Sequence, residues 1–563
     1  MTTRCRVVLT LCGLALFAGR PLSGQAIRSL DGPWQPVVLE AVLFPELQTT
    51  RVDWIRLYAY RSGAGSGVWE LIPFQIDEKD TDDYFDPHNG FFDGYDQLVF
   101  MARDMGDQAA EDAWIDNPES VRYPRYEIEI ADGGDTSRRA WVYLYVSPSF
   151  SGLPPSPYGM FMNATSNPDT EWVETLAYAA GFNRSGFLGA ARVKQEGGGS
   201  GVDLLDTQKL RMVGYVRFGP LAFSVGKGGN PPLNERDFFR MEFDSTRVLA
   251  GPVRIVRREW IGMMLFGAIP LPVGFPLTTY FYPFSCGFGG SIDSTKLPPD
   301  VVIKADLIRQ SFDLSPAAQG MQFHNPDNHG LVVDGAPDAA VTAVTVPGLN
   351  WAMVTGAQGT LLTVTWVPNL GARQALYYWD NASGGSADST HTNLQGGDTG
   401  DGASYGDFGY LFEGEGFPLS LSFEFTCYFL PSYQPDSVGK VVKQWAEQGV
   451  VPTARAQTYP TGVQTQGGVP PSRYALHPNF PNPFNAQTVI WVELPAGVQA
   501  QLEIVDASAR AVRSFSLRGQ DAGSLRVVWD GRDQRGSELP SGLYLAVLRG
   551  AGLTMRQKML LLR

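Results

Sequence analysis

The stretch that decides the reading is His477-Pro-Asn-Phe-Pro-Asn-Pro-Phe-Asn485, with the runs that follow it: Thr488-Val-Ile-Trp-Val-Glu-Leu494, Gln501-Leu-Glu-Ile-Val505, Leu525-Arg-Val-Val-Trp529 and Gly542-Leu-Tyr-Leu-Ala-Val-Leu-Arg549. Pro481 and Pro483 fix φ and lack an N–H, so the opening is an extended entry segment rather than helix or central strand. In the next run Ile490, Val492 and Leu494 share one face, and Val489, Trp491 and Glu493 the other, which is the period of a strand. Pro495-Ala-Gly497 and Asp530-Gly-Arg-Asp-Gln-Arg-Gly536 are turn signals, and Met555 to Leu562 supplies a last strand. Short strands at even spacing with Gly/Asp turns predict a small β-sandwich over residues 474–563.

These residues carry a resemblance. The box Pro481, Asn482, Pro483, Phe484, Asn485, then Trp529-Asp530-Gly531-Arg-Asp533, Gly542 with Tyr544, and a close through Lys558-Met-Leu-Leu-Leu562 follow one another in order. The segment resembles the C-terminal sorting domain of type IX secretion cargo, and is similar to the related Ig-like domain of the flagellar hook-capping protein. The resemblance implies an Ig-like fold, export, and the secretion machinery as a partner. It covers residues 477–563 only and is silent on what the preceding chain does. One departure is Asp506-Ala-Ser-Ala-Arg510, where Ala509 stands at a position such domains often fill with glycine. A plain Ig-like module with no sorting role is the alternative; terminal placement and an export signal favour sorting.

That signal occupies residues 1–26. Arg4 and Arg6 precede an apolar run from Val7 to Phe17, and Gly24-Gln-Ala26 offers small residues for cleavage. The run is shorter than the ~20 residues a membrane span needs. Leu265 to Leu277 is the most apolar later stretch, and Pro270, Pro272 and Pro276 break it, so no transmembrane segment is expected. Cleavage removes Cys5 and Cys12 and leaves Cys286 and Cys427, which an oxidising compartment would let pair; two buried free thiols are the alternative. A net charge of −14 argues against a nucleic-acid partner. The expected location is secreted or on the outer cell surface.

The body reads as all-β and multidomain: a small β-domain at 27–151, a large β-sandwich at 152–433, an amphipathic helix at 434–449, a linker at 450–473 and the Ig-like sandwich at 474–563. Val52 to Tyr60 and Val68 to Ile76 are strand candidates, and Tyr126–Ile130 should pair with Trp141–Val146. Met212–Phe218, Arg254–Trp260, Thr278–Tyr282 and Leu361–Trp366 alternate as strands, whereas Glu171 to Ala180 could be helical. Val438, Val441, Val442 and Trp445 fall at helical spacing, ended by Gly449. Ile72-Pro-Phe-Gln-Ile-Asp77 with Asp93-Gly-Tyr-Asp-Gln-Leu-Val-Phe-Met-Ala102 is similar to uncharacterised secreted β-proteins and, more distantly, to N-terminal β-modules of rhamnogalacturonan lyases. That resemblance implies only that glycans belong among the partners considered, beside other surface proteins.

Candidate chemistry is sparse. Asp77, Asp82 and Asp86, near Asn89, stand in an acidic loop, and oxygen-rich loops suit a hard cation such as Ca²⁺. Asp398, Asp401 and Asp407 stand in the glycine-rich stretch 396–407, where carbonyls could join a Ca²⁺ shell. A solvated loop is the plain alternative for both. His324-Asn-Pro-Asp-Asn-His329 offers two imidazoles, but not at the spacing of one helical face. Glu413 with Glu415, or Asp77 with Glu78, are carboxylate pairs of the kind a glycosidase needs facing one another. Trp351, Trp366, Tyr377, Tyr378 and Trp379 could stack on sugars, though core packing is their default. No catalytic assignment follows. The expectation is a surface binding or structural protein of unknown ligand; the alternative is an extracellular polysaccharide lyase or glycoside hydrolase.

Overall fold

The computed structural model describes residues 26–561 apart from short stretches, the longest being 164–170, 339–347, 383–403 and 460–474. The chain divides into one unit ending at Tyr459 and a second beginning at Pro460. Both are built of antiparallel sheets, so the protein is all-β and multidomain. No helix among the described residues is long and apolar enough to cross a membrane.

The first unit opens with a small two-sheet sandwich. The run Val68 to Ile76 does not form one strand. Pro73 lacks the N–H a ladder needs, and the chain changes sheets there. Val68–Leu71 pairs with Ile55–Arg61, and Phe74–Asp77 pairs with Gln97–Met101. Arg125–Asp132 and Arg139–Val146 form the expected hairpin. Leu57, Phe74, Leu98, Phe100, Ile128, Val142 and Leu144 fill the space between the two sheets.

The edge of the five-stranded sheet is closed from far along the chain. Val450–Gln457 pairs with Arg125–Asp132 over its whole length, Val450 opposite Asp132 and Gln457 opposite Arg125. These residues fall in the segment expected to be linker. Val450, Ala454 and Ala456 turn toward the core and the alternating residues turn out. Small and polar side chains disguise that alternation, and Pro452 is tolerated because the strand is an edge.

The larger sandwich packs a six-stranded sheet on a nine-stranded one. Met212, Ile308, Phe312, Phe408 and Tyr410 from the first meet Phe281, Phe288, Val354, Phe425 and Phe429 from the second. The strands predicted at 212–218, 278–282 and 361–366 lie within longer ones, and the one predicted at 254–260 begins one residue later, as Ile255–Leu265. Glu171 to Ala180 is a hairpin rather than a helix: Trp172–Glu174 pairs with Tyr178–Phe182. The Thr175 hydroxyl accepts the N–H groups of Ala177 and Tyr178 at 3.0 Å each, turning the chain where a helix would continue.

Helix Ser437–Gln448 lies on the nine-stranded sheet, with Val442 buried among Trp351, Met353, Leu362, Tyr428 and Leu430. Trp445 packs instead on the small sandwich, and Val441 is exposed. Two glycines make this docking feasible. A Cβ at Gly439 would sit 2.2 Å from the Trp351 ring, and Gly449 ends the helix at φ +63°, a positive φ that glycine adopts without a steric penalty.

The second unit is a two-sheet sandwich in its own right. Ile490, Val492 and Leu494 all point into its core, opposite Leu502, Ile504, Ala546 and Leu548.

Candidate functional site

Most of the acidic candidates are engaged or lie outside the described residues. Asp77 ends the edge strand Phe74–Asp77 of its sheet and is nonetheless fully buried. Its Oδ2 accepts from Arg254 Nε at 2.8 Å and from Arg254 Nη2, and Gln75 Nε2 donates to its Oδ1. Asp407 is likewise on a strand, opposite Trp379, and not in a loop. Its neighbour is Arg309, at 3.7 Å, in a buried row of charges that includes Lys209–Asp313 at 2.5 Å and Arg211–Glu235 at 2.8 Å. Neither aspartate is a solvent-facing cation ligand; each neutralises a buried cation. Asp82, Asp86, Asp398 and Asp401 lie outside the described residues. Among the described residues no three His, Cys, Asp or Glu side chains gather as a metal site.

The other candidates resolve as local structure. Asp93 and Asp96 close a tight turn, in which Asp96 accepts the N–H groups of Asp93 and Lys79, and burial pushes the Asp96 carboxyl up to about 7. His324 accepts the N–H of Gly330, while His329 lies 3.2 Å from Asp436. Glu413 pairs with Arg373 at 2.6 Å.

Arg254 joins the small sandwich to the large one. Besides Asp77 it donates to Gln97 Oε1 at 2.8 Å and Tyr282 OH at 3.3 Å, and it lies over the rings of Tyr84, Tyr280 and Tyr282. Gln75 Oε1 accepts the backbone N–H of Val253 and Arg254. Burial opposes charge on Arg254, but Asp77 and the tyrosines hold its pKa well above the ordinary value. This clamp covers one end of the outer face of the nine-stranded sheet, and helix Ser437–Gln448 covers another part of it.

Beyond both covers a row of residues crosses five strands in register: Arg258, Thr278, Gly289, Glu424 and Trp366. Phe281, Phe288 and Phe425 on these strands point into the core, so the row, at opposite parity, points outward. Trp260, two residues beyond Arg258, and Trp366 are each 39 % exposed, and Glu424 is exposed too. Gly289 leaves the middle of the row without a side chain. A Cβ at Gly274 would meet Trp260 Nε1 at 2.4 Å, so the indole lies over that glycine. With strands ~4.8 Å apart, the two tryptophans sit on strands about 19 Å apart. A strip of this kind offers two flat apolar faces with a carboxylate, a guanidinium and a hydroxyl between them. It suits an extended ligand that is apolar on its ring faces and hydroxylated at its edges.

Of the five aromatic residues singled out from the sequence, Trp351, Tyr377 and Tyr378 are buried and Trp379 is half-buried, which leaves Trp366 exposed. Trp260 was not singled out. Its strand reads Ile255-Val-Arg-Arg-Glu-Trp-Ile261, and the inward parity there carries Arg257 and Glu259, both fully buried. Arg257 pairs with Glu259 and, at 3.0 Å, with Glu171, so charge faces inward and the alternation is inverted. Burial raises both carboxyls, that of Glu259 to about 7.

In the second unit the motif residues converge on one core. Phe484 is buried, its N–H donates to Leu560 O at 2.9 Å, and its ring lies 5.3 Å from that of Trp529. Trp529 meets Tyr544 at 5.2 Å and donates from Nε1 to Arg532 O; Tyr544 OH donates to Pro540 O. Gly531 has φ +67°, Asp530 accepts the N–H of Arg532, Gly542 begins the strand Gly542–Gly550, and Lys558 is exposed. Pro481, Asn482, Pro483 and Asn485 lie outside the described residues. The turn that departs from the resemblance is closed by Asp506, which accepts the N–H groups of Ser508 and Arg510 and pairs with Arg510 Nε at 3.0 Å.

Residues 482–551 match the family described as FlgD Ig-like domain, so this segment is Ig-like. No curated protein matches the chain. An alpha-mannosidase from Enterococcus faecalis V583 is similar at 10 % identity over 89 % of this chain and 55 % of that one, with a TM-score of 0.36. A glycosyl hydrolase family 38 protein from Enterococcus faecalis is similar at 8 % identity over 92 % of this chain and 55 % of that one, with a TM-score of 0.37. Dimeric latent PorU from Porphyromonas gingivalis gives 13 % identity over 89 % of this chain and 42 % of its own, with a TM-score of 0.15. This chain thus spans about half the length of the first two and less than half of the third. Likeness at these scores fixes neither fold nor activity.

Proposed function

We propose that this is an exported, surface-located binding protein: the Ig-like C-terminal domain serves as its sorting module in a type IX-like route, and the first unit binds a polysaccharide. The observation that carries the binding reading is the outward row from Arg258 to Trp366, flanked by two half-exposed tryptophans. Stacked tryptophans would hold sugar rings while Glu424, Arg258 and Thr278 bond hydroxyls. The ordered motif from Pro481 to Lys558, on an Ig-like domain, supports the sorting reading.

The test is affinity electrophoresis of the full chain through a panel of soluble polysaccharides. Retardation by one of them, lost in Trp260→Ala and Trp366→Ala with the Tm unchanged, is the expected result. No retardation by any polysaccharide, or retardation untouched by both substitutions, would refute it. New reducing ends or unsaturated products in the same mixtures would instead favour the lyase or hydrolase reading. Export is tested by deleting residues 460–563: surface appearance of the truncated chain would remove the sorting role.

A further inference from the structure

Within the nine-stranded sheet the chain forms two blocks. Strands between Phe239 and Ile292 make a meander, strands between Gln322 and Leu430 make the rest, and the blocks meet where Ser285–Ile292 pairs with Leu421–Leu430. Cys286 and Cys427 stand directly opposite one another in that seam. Both are fully buried free thiols of the same core, so both side chains project to the same face. Directly opposed residues of an antiparallel pair have Cα atoms ~4.5–5.5 Å apart, inside the ~4.4–6.8 Å window a disulfide requires. Tyr178 closes over the site, stacked on Phe429 at 4.1 Å and donating to Ser285 O. Of the four cysteines, these two alone follow the apolar N-terminal run.

We infer that Cys286 and Cys427 are joined by an intramolecular disulfide that staples this seam. Two S–H bonds break and one S–S bond forms; the two protons end on the sulfurs of the oxidant. The two electrons pass to the disulfide of an oxidising thiol–disulfide exchange protein, which leaves as a dithiol. Because neither sulfur reaches solvent in the folded protein, exchange takes place before the seam closes, and the finished bond is shielded from reductant. The inference draws only its cellular oxidant from the export reading.

The test has an arm free of that reading. Full-length protein is reduced, unfolded, refolded in a glutathione redox buffer, denatured, treated with a maleimide and mapped by mass spectrometry without reduction. The expected result is no maleimide adduct and one peptide pair linked through Cys286 and Cys427. Two adducts per chain, or linkage only between chains, would overturn the inference. Dithiothreitol should open the bond in urea and leave it intact without urea; ready reduction of the native protein would overturn its place in a closed seam. The Cys286→Ala/Cys427→Ala variant should melt roughly 5 °C below the oxidised protein and level with the reduced one. Equal melting of all three forms would show that nothing is stapled.

Discussion

Removing Asp77 should loosen the small sandwich from the large one by an amount that the surroundings of Arg254 fix. Asp77→Ala leaves a guanidinium that is 2 % exposed and has lost its carboxylate. Stranding one partner of a buried pair costs about 3–5 kcal/mol. Arg254 keeps the Gln97 acceptor and the faces of three tyrosines, which places the loss near the low end, about 3 kcal/mol. At ~2.1 cal/mol/K per residue over about 430 residues, that becomes a fall of roughly 3 °C in the melting of the first unit. Replacing both partners, as Asp77→Ala/Arg254→Met, should recover most of it, since an apolar pair carries no stranded charge. Calorimetry of the parent, Asp77→Ala, Arg254→Met and the double variant gives the coupling directly. A single variant melting within 1 °C of the parent, or a double variant no better than the single, would refute the reasoning.

Gly439→Ala drives a methyl group into the Trp351 ring and should cost about 2–3 kcal/mol, read as a lower Tm with the Ig-like transition unmoved. Glu259 has a folded pKa raised to about 7 by burial, so the stability it confers is full below its unfolded value near 4.5 and is lost as pH rises through 7. Glu259→Gln should therefore melt higher than the parent at pH 8 and not at pH 4.5; an equal offset at both would contradict the assignment. The calcium expectation now rests on Asp82, Asp86, Asp398 and Asp401, and a chelator should lower the Tm of the full chain by several degrees; an unchanged Tm with no retained calcium ends it.

The alternation of side chains made the sheets legible. Ile490, Val492 and Leu494 face inward as their spacing predicts, and each predicted strand of the large sandwich is present. Helical spacing likewise predicts a helix at 434–449, and the helix spans Ser437–Gln448. What alternation could not show is pairing across long sequence separations. Asp77 meets a guanidinium 177 residues away, so it read as part of an acidic loop. Inward charges at Arg257 and Glu259, with Glu171 pairing to Arg257 from just before the strand Trp172–Glu174, hid the outward parity of Trp260. Motif order revealed the Ig-like domain because its residues converge on Phe484, Trp529 and Tyr544 within one compact segment.

Val450–Gln457 pairs with Arg125–Asp132, a strand made roughly 300 residues earlier. At about 5–20 residues per second of synthesis, the early strand waits on the order of 15–60 s for its partner. The N-terminal sandwich is thus the first part made and among the last finished. Until then one sheet edge stands open to any other extended chain, so the interval before completion is when this protein most needs a chaperone or a channel around it.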